Sequence, residues 1–161
     1  MKRAAVITAS NRAFNGVYED TSGQVLLNGL KSLGYDIESV LVVPDELEKI
    51  STAIQSVIKD GVDLVVTTGG TGISPFDITP EATAPLIQKQ MPGILEALRA
   101  YSREKVPTTD LSRGVAGVTN KTLIINLPGS PGAAKDGLVI IERLAPHIHD
   151  QLAGHDHSPS N

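Results

Sequence analysis

The sequence predicts an α/β fold with three layers, in which a mostly parallel sheet is covered by helices on both faces. Short runs rich in Val, Ile and Leu alternate along the chain with amphipathic stretches of helical spacing, and this alternation is typical of a parallel sheet. The runs are continuously apolar, as expected for strands that are buried on both faces. The 161 residues fit one domain, because domains commonly contain about 100–200 residues.

The first half of the chain contains three predicted strands and two predicted helices. The strands cover residues 3–9, 37–43 and 63–68. The first helix follows the capping residues 20–22 and ends at Gly34, because glycine favours the left-handed conformation that closes a helix. The second helix begins near Pro44 and ends at Gly61, since its apolar residues recur at three- and four-residue spacing.

The region after the third strand is predicted to contain two helices. Thr79 is the predicted N-cap of the first, with Pro80 at the first helical position. Because proline cannot continue a helix, Pro85 and Pro92 separate this short helix from a longer one near residues 93–105.

The chain ends with two predicted strands, a long helix and a polar tail. The strands, residues 114–118 and 122–127, flank a tight turn and can form an antiparallel hairpin at the edge of the sheet. The domain therefore covers residues 1–153, and we expect residues 154–161 to be a disordered tail. The final helix runs from about residue 133 to residue 152, and its predicted apolar stripe is Leu138, Ile141, Leu144, Ala145 and Ile148.

Composition excludes several classes of function. The absence of cysteine excludes disulfides, thiolate metal sites and a cysteine nucleophile. A formal net charge of −4 and only five aromatic residues, three Tyr and two Phe, predict no nucleic-acid partner, because such binding uses basic stripes and stacking platforms. We expect no membrane partner, since no apolar run approaches the about 20 residues that span a bilayer. The apolar residues 4–9 are too few for a signal peptide, so we predict a cytoplasmic protein.

The most distinctive segments follow the predicted strands. They are residues 10–23, 44–45, 69–77 and 127–132. Because ligands of such sheets bind beyond the carboxyl ends of the strands, we expect these segments to converge on one rim.

A glycine-rich segment, GGTG at residues 69–72, lies between a predicted strand and a helix. Glycines let backbone N–H groups approach a phosphate closely, and a helix N-terminus adds positive charge. The segment lacks the Gly-Lys-Ser/Thr of a P-loop and the spacing of the dinucleotide fingerprint. It is either a phosphate-binding loop or a sharp turn out of a buried strand.

Two carboxylates, Asp45 and Asp77, are predicted on the same rim. Carboxylates beside a phosphate site repel the ligand unless a cation lies between them, and Mg²⁺ commonly binds one or two carboxylates together with substrate phosphates. For Asp45 alone the alternative is a helix-start residue that the helix dipole favours. The pair predicts a magnesium site.

Further ligand contacts are predicted in the first and last of the rim segments. Asp20 and Ser22 are candidates in the first, although both are also suited to helix capping. Gly129 and Ser130 precede the final helix, where free backbone amides favour an anion. The alternative for this last segment is a rigid strand-to-helix connection.

Five motifs together resemble the MogA/MoaB family of molybdenum-cofactor proteins and the corresponding domains of gephyrin. The most specific are TTGGTG at residues 67–72 and DITPEAT at residues 77–83. GVYEDTSG at residues 16–23, MPG at 91–93 and NLPGSP at 126–131 occur in the family order.

The resemblance implies a molybdopterin-binding domain that assembles as a homotrimer. It also implies molybdopterin adenylyltransferase activity, with ATP as co-substrate, Mg²⁺ as cofactor and hand-over of the product to a molybdate-inserting protein. Two alternatives remain: a member that binds molybdopterin without catalysis, and a different nucleotide-dependent enzyme such as a pyrophosphohydrolase.

The resemblance also assigns roles to residues. Asp45 and Asp77 match the family's acidic catalytic and metal positions, and Ser130 lies in the segment associated with the pterin. Where many relatives have Ser-Asp after the first strand, this chain has Ser10 and Asn11, so one rim carboxylate is missing. Because aromatics are scarce, we expect pterin and adenine to lie against aliphatic and backbone surfaces. The phosphate-binding positions are Gly69, Gly70, Thr71 and Gly72, and Ser10 is a further predicted ligand contact.

Overall fold

The strands and helices are defined for residues 1–155, which the computed structural model describes. The strands in this part of the chain are β1 Ala4–Ala9, β2 Val40–Val43, β3 Leu64–Thr68, β4 Lys89–Gln90, β5 Ala116–Thr119 and β6 Thr122–Leu127. The α-helices are α1 Asn11–Phe14, α2 Thr21–Ser32, α3 Leu47–Lys59, α4 Thr79–Thr83, α5 Gly93–Ser102 and α6 Pro131–Leu152. Short 3-10 helices cover Ala84–Leu86 and Pro107–Leu111.

All six strands form one sheet in the order β2-β1-β3-β6-β5-β4. The first four are parallel, and Val6 of β1 pairs with Val40 of β2 and with Val66 of β3. β5 and β6 form an antiparallel hairpin, and Asn120 in its turn adopts a positive φ of 54°. The predicted parallel sheet with an antiparallel hairpin is therefore confirmed.

Each face of the sheet carries its own apolar core. Val6 faces the core formed with α2, α5 and α6, which includes Leu30 and Ile141. Its neighbour Ile7 faces the opposite core, which includes Ile50 and Ile54 of α3. Because adjacent strand residues point to opposite faces, burial on both sides requires the continuous apolar run seen in the sequence.

The structure corrects several predicted boundaries. β2 begins at Val40 rather than at residue 37. α6 begins at Pro131, because the Ser130 hydroxyl accepts a hydrogen bond from Ala133 N at 3.1 Å and caps the helix. Leu144 is 36% exposed, so it does not belong to the buried stripe of α6. That stripe instead contains Ile140 besides the predicted Ile141, Ala145 and Ile148.

The end of α6 is followed by further described residues. Gly154 N and His155 N donate to the carbonyl oxygens of Gln151 and Asp150. The rest of the predicted tail, residues 156–161, lies outside the described residues. Among the helices of residues 1–155, none combines the length and the hydropathy that a membrane span requires.

A buried polar pair joins α6 to the turn after α2. The hydroxyl of Tyr35 and Nε2 of His149 are 2.8 Å apart, and the two rings meet edge to face. Burial, reinforced by the negative charge of Asp63, raises the pKa of Tyr35 to about 12. Burial also lowers the pKa of His149, and the positive charge of Lys2 adds to this effect, whereas Asp63 and Asp150 oppose it.

This pair predicts a pH dependence of stability. Because the folded pKa of His149 lies below the unfolded value of 6.5, the unfolded chain binds the proton first, and stability falls as the pH drops below about 6.5. The free energy of unfolding changes by at most about 1.4 kcal/mol per pH unit, which corresponds to the uptake of one proton. We expect His149→Gln to flatten this dependence in thermal unfolding between pH 7 and pH 5, because Gln does not titrate. Equal slopes for the two proteins would contradict the assignment.

Candidate functional site

The predicted rim segments enclose a cleft of about 810 Å³ at the carboxyl ends of the parallel strands. The predicted site residues that line it are Ser10, Ser22, Asp45, Gly69, Gly70, Thr71, Gly72, Asp77, Gly129 and Ser130. Asp20 is the one predicted site residue that is not among the lining residues. The volume is within the range of ordinary ligand sites, about 300–1,000 Å³.

The glycine-rich loop adopts a backbone that requires its first two glycines. Gly69 and Gly70 have positive φ values of 95° and 70°. A Cβ at Gly69 would overlap the carbonyl oxygen of Ala9 at the end of β1. Gly69 N donates to Leu127 O at 3.0 Å, and the backbone of Gly129 packs against it. The loop is therefore held between the ends of β1 and β6.

Thr79 packs behind this loop rather than capping α4. The helix begins at Thr79, one residue earlier than predicted, and it has no side-chain cap. Thr79 N donates to Gly70 O at 3.1 Å, and the Thr79 hydroxyl occupies the space where a Cβ at Gly70 would lie. This hydroxyl is buried and has no hydrogen-bond partner within the described part of the chain.

Asp45 is fixed by reciprocal hydrogen bonds with Asn11. Asn11 N donates to Asp45 Oδ2 at 2.9 Å, and Asp45 N donates to Asn11 Oδ1 at 2.9 Å. Burial raises the pKa of Asp45, the Asn11 backbone hydrogen bond lowers it, and the charge of Asp77 raises it. The two carboxylates are therefore close enough to repel each other, as their place on one rim predicted.

Asp77 closes its own loop. Its Oδ2 accepts a hydrogen bond from Ser74 N at 2.9 Å, and Asp77 N donates to Ser74 O at 3.0 Å. A Cβ at Gly72 would lie 2.8 Å from the same carboxylate oxygen. The carboxylate thus lies directly against the glycine-rich loop.

Asp20 and Ser22 have different surroundings. Asp20 caps α2, because its Oδ1 accepts from Gly23 N at 3.1 Å, while its Oδ2 accepts from the Thr8 hydroxyl at 2.7 Å. The capping alternative is therefore the geometry found for Asp20. Ser22 lines the cleft and accepts a hydrogen bond from the Thr68 hydroxyl at 3.2 Å.

Ser10 connects the rim to an aromatic residue that sequence reasoning did not single out. The hydroxyl oxygens of Ser10 and Tyr18 are 2.8 Å apart, and Ser10 Oγ also accepts from Ala13 N. Tyr18 lines the cleft, so the expectation of purely aliphatic and backbone ligand surfaces is incomplete. The motif GVYEDTSG contained this tyrosine, and it was the available signal.

One wall of the cleft, which was not among the predicted rim segments, comes from α5, the segment after it and the start of α6. Ser102 donates to Asp136 Oδ2 at 2.7 Å, and Lys105 Nζ lies 3.0 Å from Asp136 Oδ1. Lys135 also lines the cleft. The available signal was a pair of polar residues, Ser102 and Asp136, that lie on otherwise apolar helix faces.

The arrangement is suited to binding phosphate groups. Backbone amides, two lysines and a helix N-terminus are attractive to anions. Within residues 1–155 no group of three or more His, Cys, Asp or Glu side chains could hold a metal ion.

Comparisons with known proteins agree with this geometry. A family model described as "probable molybdopterin binding domain" matches residues 5–147. The molybdopterin adenylyltransferase of Helicobacter pylori strain J99 is 43% identical over 154 residues, covering 92% of this chain and 86% of the relative. A bifunctional molybdenum cofactor biosynthesis protein of Chlorobaculum tepidum is 34% identical over 97% of this chain, which spans 50% of that protein's length.

Solved structures show the same fold. The Mog protein from Mycobacterium ulcerans is 43% identical and superposes with a TM-score of 0.90, covering 94% of this chain and 99% of that one. The MoaB protein from Thermus thermophilus is 37% identical, with a TM-score of 0.88 and coverage of 96% and 98%. The motifs, the cleft and these similarities agree, and the chain belongs to the MogA/MoaB family of molybdopterin-binding-domain proteins.

Proposed function

We propose that this protein is a molybdopterin adenylyltransferase of molybdenum cofactor biosynthesis, which transfers AMP from ATP to the terminal phosphate of molybdopterin. The observation that carries the proposal is the pair Asp45 and Asp77 against the glycine-rich loop, in a cleft that also contains two lysines. Its relative in Helicobacter pylori, which is 43% identical, bears the name of this activity.

The reaction needs no protein nucleophile. A terminal phosphate oxygen of molybdopterin attacks the α-phosphorus of ATP, a new P–O bond forms, and the bond to the β-phosphate breaks to release pyrophosphate. A phosphate monoester is mostly dianionic near neutrality, since its second pKa is about 6. The protein therefore contributes mainly positioning and electrostatic stabilisation.

Different residues of the cleft are suited to positioning and to electrostatic stabilisation. Backbone amides of Gly70 and Gly129 are suited to orient phosphate oxygens, because glycines permit close backbone approach. Lys105 and Lys135 supply positive charge at the wall formed by α5 and α6. Tyr18 offers one aromatic face at the rim on the β1 side.

The residues present fit Mg²⁺. The charge of Asp77 raises the pKa of Asp45, which means that the two carboxylates repel each other, and a cation between them relieves this repulsion. When bound there, Mg²⁺ would neutralise charge on the triphosphate and on the leaving pyrophosphate. Asp45 and Asp77 would hold it, and their reciprocal and loop hydrogen bonds fix them in place.

We further propose a homotrimer, a cytoplasmic location and transfer of the product to a molybdate-inserting protein, as the family resemblance implies. Exposed apolar side chains such as Phe14, Phe76 and Leu144 are available for such protein contacts. Light scattering of the purified protein measures the oligomer directly.

The proposed activity is tested by pyrophosphate release. We expect release from Mg²⁺ and ATP only when molybdopterin is added, with one pyrophosphate per pterin. Binding of molybdopterin without release would indicate a scaffold role. Consumption of ATP without molybdopterin would indicate a different nucleotide-dependent enzyme.

Asn11→Asp probes the carboxylate that this chain lacks. Because Asn11 Oδ1 lies 2.9 Å from Asp45 N, the variant places a third negative charge beside the proposed metal site. We expect the Mg²⁺ concentration for half-maximal rate to fall about fivefold, since charges this close interact by about 1 kcal/mol or more. Asn11→Ala is the control, because it removes the acceptor without adding charge. An unchanged Mg²⁺ requirement in Asn11→Asp would contradict the proposed metal position.

A further inference from the structure

Arg113 contacts the loop of Asp77 through several hydrogen bonds from one side chain. Its Nε donates to Gly72 O at 2.8 Å, and its Nη2 donates to Asp77 O at 3.0 Å. Its Nη1 donates to Glu81 Oε1 at 2.7 Å, and its backbone N donates to Thr71 O at 2.9 Å. The guanidinium therefore bridges both ends of the loop formed by residues 72–77.

This loop has little apolar packing to hold it. Ile73 and Phe76 are 76% and 62% exposed. The hydrogen bonds between Ser74 and Asp77 close the loop internally, but they do not fix it relative to the sheet. The contacts from Arg113 fix the loop relative to the sheet, because Arg113 immediately precedes the segment that leads into β5.

We propose that Arg113 is a positioning residue that holds residues 72–77 so that the Asp77 carboxylate faces Asp45 across the glycine-rich loop. For its effect on catalysis, this inference depends on the proposed function, whereas its effect on the loop does not. The planar fork of arginine suits the role, because it reaches several acceptors in fixed directions, whereas lysine offers a single charged centre.

The contacts distinguish this role from direct phosphate binding. Arg113 is not among the residues that line the cleft. Its guanidinium nitrogens each donate to the protein itself, to two carbonyl oxygens and one carboxylate. The side chains of Arg113 and Glu81 are 38% and 48% exposed, and exposed ion pairs contribute little to stability. Variants of Arg113 are therefore expected to fold.

Amide hydrogen exchange of the ligand-free protein tests the effect on the loop. In Arg113→Gln we expect the amides of Ser74 and Asp77 to exchange about tenfold faster, because hydrogen bonds to a charged group are lost. Arg113→Lys should lie between this variant and the wild type. The amide of Gly69, which is bonded to Leu127 O, serves as the internal reference. Arg103→Gln is the matched control, because the Arg103 guanidinium also pairs with a carboxylate, that of Asp110, and neither residue belongs to the loop.

Metal binding tests the consequence for the site. Electron paramagnetic resonance measures Mn²⁺ binding in the presence of α,β-methylene ATP, which does not turn over. We expect binding about tenfold weaker in Arg113→Gln than in the wild type or Arg103→Gln. Wild-type exchange rates at Ser74 and Asp77 in Arg113→Gln would overturn the positioning role, as would wild-type Mn²⁺ affinity. If Arg113→Gln shows the expected faster exchange but the wild-type protein transfers no AMP to molybdopterin, the proposed function alone is overturned.

Discussion

Asp77→Asn is expected to lower kcat for adenylyl transfer at least about 100-fold, because it removes one of the two carboxylates proposed to hold Mg²⁺, and the electrostatic stabilisation that the metal would give the reacting phosphates is lost with it. The Asn side chain keeps an oxygen that can accept from Ser74 N, as Asp77 Oδ2 does at 2.9 Å. The loop is therefore retained while the negative charge is lost. Steady-state kinetics at saturating ATP, molybdopterin and Mg²⁺ measures the effect.

Thermal unfolding and a matched variant complete this test. We expect the Tm of Asp77→Asn to stay close to that of the wild type, because the side chain is only partly buried. Asp36→Asn makes the same chemical change at an exposed carboxylate outside the cleft, and it should leave kcat unchanged. Near wild-type turnover by Asp77→Asn would contradict the role of Asp77.

Gly69→Ala is expected to cause the largest loss of stability. The positive φ of 95° costs a residue with a Cβ about 1–2 kcal/mol, and overlap with the backbone oxygen of Ala9 adds about 1–3 kcal/mol. For a chain of this length each kcal/mol lowers the Tm by about 2–4 °C. Differential scanning calorimetry should therefore show a decrease of about 4–20 °C.

Gly61→Ala separates the two causes. Gly61 also has a positive φ, 80°, but no heavy atom lies within 4 Å of an added Cβ. It should therefore show only the conformational cost, about 1–2 kcal/mol. Equal destabilisation by the two substitutions would show that the overlap with Ala9 does not contribute to the loss of stability in Gly69→Ala.

Much of the fold could be predicted because the strands are buried on both faces. The continuous apolar runs of β1, β3 and β6 left little ambiguity. In contrast, α1 and β4 contain four and two residues, too few for a periodic pattern. Their position depends on tertiary contacts, such as the pairing of β4 with β5.

The site likewise contains residues that could be predicted from the sequence and residues that could not. Asp45 and Asp77 could be placed together because the carboxyl ends of parallel strands meet at one edge, whatever the loops do in detail. Asp136 and Ser102 meet only because α5 packs beside α6, and the residues are 34 positions apart. Likewise, the sequence suggested a cap at Thr79, but the space above Gly70 accommodates its hydroxyl.

The proposed reaction transfers the α-phosphoryl group of ATP together with its adenosine. Parallel reactions with ATP labelled with ³²P at the α- or the γ-position, followed by separation of the pterin product, test it most directly. We expect the α-label to appear on the pterin and the γ-label to leave entirely as pyrophosphate. Recovery of the γ-label on the pterin, or of the α-label only as free AMP, would contradict the account.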